Sequence, residues 1–141
     1  MSKILDIIET NEEIDKVKYD TLNIITEDEQ IITIGIEEGC FCCEQVNIFV
    51  ADDIKNIYSN LNKLKEKYIN KTIKSIEWDH KSIKTLENKV EDNERSTNAI
   101  VLCIDLMKGN RFMIGCSNNH NGYYGHKAFA KYNGKTIFAE L

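Results

Sequence analysis

The side chains best suited to chemistry are gathered in one stretch, Cys116-Ser117-Asn118-Asn119-His120-Asn121-Gly122-Tyr123-Tyr124-Gly125-His126, followed directly by Lys127. An ordinary hairpin turn of about two to five residues has no use for so many amides, imidazoles and phenols. Gly122 and Gly125 allow a ligand to approach the backbone and leave N–H groups to face an anion. Asn118, Asn119 and Asn121 can each donate and accept hydrogen bonds, as reading a base edge or a ribose requires. In this reading Tyr123 and Tyr124 could stack on a base, Tyr123 or Phe112 being the one expected to if the ligand is a cyclic nucleotide, while Arg111, His120, His126 and Lys127 neutralise phosphate. The structural alternative is a solvated polar hairpin with Tyr123 or Tyr124 as a packing anchor. For the cluster as a whole we expect a ligand loop over residues 116–127.

Two other chemistries compete for the same residues. Cys40-Phe41-Cys42-Cys43-Glu44 brings three thiols together, and with Cys116 and His120 or His126 they could complete a tetrahedral zinc site. Only half of the usual pair of Cys-x-x-Cys knuckles is present, so the simpler reading is that these small side chains pack where one strand gives way to the next. Nucleophilic catalysis is the other option. It would use Cys116 as thiolate, His120 or His126 as base, and Glu44 or Asp105 as orienter. Cys103 sits in the middle of an apolar strand pattern and reads as inert core. No nucleophile-elbow pattern accompanies these residues, and the expectation is a protein that binds without catalysing, with no resident metal or cofactor.

Composition narrows the classes further. A chain of 141 residues suits a single domain spanning 1–141, large enough to bury one core. The net charge of −5 argues against binding long nucleic acid through its phosphates, which needs a basic stripe. No window approaches the length of an apolar membrane helix, and no signal-peptide pattern opens the chain, so a cytosolic protein is expected. Five cysteines, an odd count, fit reduced thiols there better than a disulfide framework. Proline is absent, so Gly, Asn and Asp must make the turns.

The elements that must position the cluster follow from periodicity. Residues 3–9 read as a short helix (Ile4, Leu5, Ile7, Ile8), and 14–26 and 31–37 as a hairpin of strands. After an interruption at 39–44, residues 45–50 alternate as a third strand. A helix over 54–67, capped by Asp52 or Asp53, is predicted from Ile54, Ile57, Leu61 and Leu64. Residues 69–78 give a fourth strand and 79–98 a charged insertion. Strands at 99–107, 111–116, 125–132 and 136–140 complete the set, with tight turns at Lys108-Gly109-Asn110 and Asn133-Gly134. The fold class expected is α+β: a mainly antiparallel sheet with one principal helix. Its open edges would suit a homo-oligomer.

Two segments carry a family resemblance: Cys42-Cys43-Glu44-Gln45-Val46-Asn47-Ile48 and Asn121-Gly122-Tyr123-Tyr124-Gly125-His126. In these, and in strand order, the chain resembles the phage Thoeris anti-defence family of cyclic-nucleotide sponges. The resemblance implies a sheet-rich dimer or higher assembly in the cytoplasm of an infected bacterium. It further implies capture, without cleavage, of an immune second messenger, a cyclic ADP-ribose isomer or a cyclic oligonucleotide. Arginine is scarce here, so phosphate contacts would fall to Arg111, Lys127, the histidines and backbone amides.

Overall fold

The computed structural model describes residues 2–38, 44–53, 56–58, 61–78, 96–120 and 127–140. In chain order these form β1 (Ser2–Ile14), β2 (Val17–Thr26), β3 (Ile31–Glu37), β4 (Glu44–Asp53), β5 (Asn56–Tyr58), α1 (Leu61–Tyr68), β6 (Thr72–Trp78), β7 (Ser96–Leu106), β8 (Arg111–His120), β9 (Lys127–Tyr132) and β10 (Lys135–Glu140). The expectation of an antiparallel sheet holds. The helical share of the α+β expectation shrinks to one helix of eight residues, and the described fold is mainly β.

Of the two expected helices, one is a strand and the other forms only in its second half, for separate physical reasons. Residues 3–9 lie in β1, which pairs along its length with β2 across the turn Asp15-Lys16, both residues at positive φ. Register slips between Ile4 and Asp6, a β-bulge that lets Ile4 and Ile7 enter the same core although they are three residues apart. The spacing that looked helical is thus alternation with one extra residue. The helix expected over 54–67 starts only at Leu61, because Asn56–Tyr58 pair with β4 as an edge strand and Asp52 and Asp53 belong to β4 rather than to a cap. Ladder hydrogen bonds to an available edge outweigh a weak helical preference.

The strands run β10-β9-β3-β2-β1-β6-β7-β8-β4-β5, every neighbouring pair antiparallel. Only Ser2↔Ile73 and Lys3↔Thr72 join β1 to β6, so the sheet divides there into two halves. These pack face to face, with β3 crossing β8 and β4 and with β9 against β7. Ile7, Leu22, Ile24 and Ile34 from one half meet Ile100, Leu102, Ile104, Phe112 and Ile114 from the other in one core. Each half also has a phenylalanine lying over a cross-strand glycine, Phe129 over Gly35 and Phe49 over Gly115. In both, the glycine leaves the room a side chain would occupy, and the ring closes over the exposed backbone.

The helix end is fastened to the seam. Asn70, at φ 70°, reverses the chain; its N–H donates to the Ile4 carbonyl at 2.8 Å, and the Ile4 N–H donates to the Lys71 carbonyl at 2.9 Å. On the outer face of β1–β3 a polar group closes on itself. The Thr33 hydroxyl donates to Asn23 Oδ1 (2.7 Å), and Asn23 Nδ2 donates to Thr10 Oγ1 (2.8 Å). Thr21, Asn23 and Thr33 are buried, and these bonds, with that from the Thr21 hydroxyl to the Thr10 carbonyl at 3.0 Å, satisfy them there. Strands β1 to β3 are thereby held in register.

Candidate functional site at the mouth between the half-sheets

Strand β8 carries most of the residues singled out by sequence, but it spreads them along its length. It continues through His120, four residues beyond the expected end, because β4 and β7 pair with it on both sides. The expected 116–127 loop is therefore strand as far as His120. His120 aligns with Glu44 and Ser96, Asn119 with Gln45 and Thr97, Asn118 with Val46 and Asn98, and Ser117 with Asn47 and Ala99. Three strand ends rich in amides and hydroxyls converge at this one corner. Asn121, Gly122, Tyr123 and His126 lie outside the described residues, as do Cys40, Cys42 and Cys43.

Below that corner, Ile48, Cys116 and Ile100 share one register row and enter the core. At this level a cavity of about 450 Å³ opens between the halves, lined by Glu9, Asn11, Asp20, Ile36 and Ile48. Glu9 pairs with the core residue Leu22, and Asn11 pairs with Asp20, so the polar groups interrupt the apolar inner face of β1 and β2 as it reaches the mouth. Lys127 is close by in register: its neighbour Ala128 aligns with Ile36. The Lys127 N–H donates to Glu37 Oε2 at 3.0 Å, and the residue is exposed.

Two expected ligand residues lie elsewhere. Phe112 is fully buried, its ring stacked on Tyr68 at 4.2 Å between centroids and 19° between planes. A ring so enclosed presents no face to a base, and its role is packing. Arg111 stands at the opposite end of β8 from Asn119, about 27 Å away at roughly 3.4 Å per residue. There its Nε donates to Asp105 Oδ1 at 2.6 Å and its Nη2 reaches Asp105 Oδ2 at 3.3 Å and Glu77 Oε1 at 3.5 Å. Hydrogen bonding to Arg111 holds the Asp105 carboxyl below its ordinary value. Neither residue can share a small ligand with Asn119.

The thiol constellation comes apart in the same way. Cys116 has no exposed surface, and burial pushes its thiol well above the ordinary value, with Asp20 adding to the effect. A thiol so placed is a poor nucleophile and a poor metal ligand, since both roles need the thiolate. Asp105, one of the two proposed orienters, is engaged by Arg111 at the far end. Cys103 is buried, as expected of a core residue, and among the described residues no group of three or more His, Cys, Asp and Glu could hold a metal.

Residues 3–130 match the family described as a domain of unknown function, DUF7448. The match runs from β1 into β9 and takes in both halves of the fold. The chain belongs to the DUF7448 family. No curated protein and no solved structure matches it. The DUF7448 match includes Glu9, Asp20, Cys116 and Asn118–His120, so the mouth is built almost wholly from family sequence. The carboxylates at the mouth were not found by reading the sequence. Their only signal there is that Glu9 and Asn11 follow Ile7 at every second residue, which places them on its face only when this segment is a strand.

Proposed function

We propose that this DUF7448 protein is a non-catalytic binder that sequesters a small cyclic nucleotide, a cyclic ADP-ribose isomer or a cyclic oligonucleotide. The setting is the cytoplasm of a phage-infected bacterium, and the role is anti-defence. The observation that carries the reading is the register of β4, β8 and β7, which sets Asn118 beside Asn98 and His120 beside Ser96 and Glu44, two and four residues beyond Cys116 and so on the face of the sheet that Ile48 presents to an open cavity. Amides and hydroxyls grouped in this way suit a ligand dense in ribose hydroxyls and base edges. Glu9 and Asp20 accept hydrogen bonds from ribose hydroxyls and repel phosphate. The ribose would accordingly enter the cavity, and the phosphates would stay on the side of Lys127. Self-association along the sheet edge fits the same reading: Phe138 on edge strand β10 is 58% exposed.

A thermal-shift screen against cyclic ADP-ribose isomers and cyclic dinucleotides tests the proposal. Tight binding stabilises the fold by RT ln(1 + [L]/Kd), about 4 kcal/mol at a thousandfold excess over Kd. The ligand should be recovered intact after the protein is denatured, and Asn118→Ala should weaken binding. A changed product would establish an enzyme instead, and no shift with any of these ligands would end the nucleotide reading.

A further inference from the structure

We propose a second site, at the opposite end of β8, that binds small anions bearing a di- or polyphosphate group. Here a cavity of about 440 Å³ is lined by Lys67, Tyr68, Lys71, Gly109, Asn110 and Arg111. The chain carries 23 acidic residues against 18 basic ones, yet three of these lining residues are cationic and none is acidic. Cations converging on a concave surface focus a positive potential into it, with Asp105 and Glu77 offsetting part of the Arg111 charge at the rim.

Three separate elements bring the cations together, so helix electrostatics alone do not explain them. Lys67 lies in the last turn of α1, where a cation complements the helix dipole, and its Nζ is 5.7 Å from the Tyr68 ring centroid. That accounts for Lys67 only. Lys71 lies beyond the helix, past the reversal at Asn70, and its N–H donates to the Tyr68 carbonyl at 3.2 Å. Arg111 comes from β8, with Asp105 and Glu77 holding the guanidinium in a set orientation at the rim. An arginine fixed in this way loses little further freedom on meeting a phosphate.

Polar donors and open backbone complete the cavity. Asn110 contributes an amide, and the space over Gly109 is open: a Cβ there would meet no heavy atom within 4 Å. A phosphate oxygen can therefore reach the main chain between the two lysines and the arginine. Tyr68, 3% exposed and stacked on Phe112, forms a rigid floor. Cyclic ADP-ribose itself carries a diphosphate, so Lys71→Glu, which should spare binding at the Asn118 corner, separates this site from the cyclic-nucleotide reading at the other end of the strand.

Titration with inorganic pyrophosphate at constant ionic strength, followed by calorimetry and by backbone amide NMR, tests the proposal. Saturable one-to-one binding is expected, with amide shifts centred on Gly109, Asn110 and Arg111. Lys71→Glu, at an exposed position outside the helix, should weaken binding at least tenfold, while Lys71→Arg retains it. The Lys67→Glu/Lys71→Glu protein should abolish binding, with circular dichroism confirming the fold. Asn118→Ala should bind pyrophosphate like the parent. Absence of saturable binding, equal affinity in the Lys71→Glu protein, or amide shifts centred elsewhere would each overturn the site.

Discussion

Phe112→Ala tests whether the residue beside Arg111 is part of the core or part of a ligand site. The ring has 0% exposure, stacks on Tyr68 and is surrounded by residues from both half-sheets. Truncating a buried phenylalanine costs about 3–5 kcal/mol, of which the stacked pair accounts for roughly 0.5–1.5 kcal/mol. The upper part of the range applies, because two hydrogen-bonded sheets cannot close over the void without breaking ladder bonds. Against a domain stability of about 5–15 kcal/mol, that is a large fraction. In urea, with an m-value of about 2 kcal/mol per molar, the midpoint should fall by roughly 2 M, read by circular dichroism. Cyclic-nucleotide affinity of the folded variant at low temperature should equal that of the parent. Should the alanine protein fail to fold, Phe112→Leu supplies the same comparison with a smaller loss. A midpoint within about 0.3 M of the parent, together with weakened ligand binding, would refute the placement of Phe112 in the core.

Gly115→Ala would place a Cβ 2.3 Å from Phe49 Cζ and 2.9 Å from the Ile100 carbonyl oxygen, and should destabilise by about 1–3 kcal/mol in thermal melts. Gly109→Ala meets no atom but sits at φ +84°, costing about 1–2 kcal/mol. Phe49→Leu should partly rescue the first variant and not the second, a difference that a double-mutant cycle measures. Cys116 should resist iodoacetamide in the native protein up to about pH 9, where an exposed thiol is already largely ionised, and react once urea unfolds the chain. Peptide mapping reads this, and rapid native alkylation at Cys116 would contradict its burial. The lowered Asp105 carboxyl contributes stability that is present above the ordinary carboxylate range and is lost as pH falls through its folded value. Asp105→Asn should therefore flatten the fall in stability below about pH 4, seen in melts across pH.

How much of this was legible in the residues differs from element to element. Strands β3 and β4 announce themselves because apolar side chains recur at every second residue, at Ile32, Ile34 and Ile36 and at Val46, Ile48 and Val50, and Asn133-Gly134 marks its turn by residue type, with Asn133 at φ 51° and Gly134 at φ 73°. β1 misleads because its bulge gives Ile4 and Ile7 helical spacing. The helix is overextended because nothing local says that 56–58 will find an edge on β4. In the site, the amides of Asn118 and Asn119 stand out by composition alone. Their distance from Arg111 does not, because proximity in sequence hides how far an extended strand carries its ends apart.

Composition and periodicity alone were enough for a dominant antiparallel sheet, though with too large a helical share, for the lack of a basic stripe, and for a polar, amide-rich stretch beginning at Cys116. These are properties of side-chain period, charge and type, which need no partner to be read. Only the tertiary structure decided that Phe112 and Cys116 are enclosed, and that Arg111 belongs to the far end with Lys67 and Lys71. It also decided that Glu9, Asn11 and Asp20 line the mouth with Ile36 and Ile48. Each of those facts depends on which half-sheet lies over which. That is settled by the two-residue seam between β1 and β6 and by the apolar faces it folds together, contacts between residues far apart in the chain that no local pattern encodes.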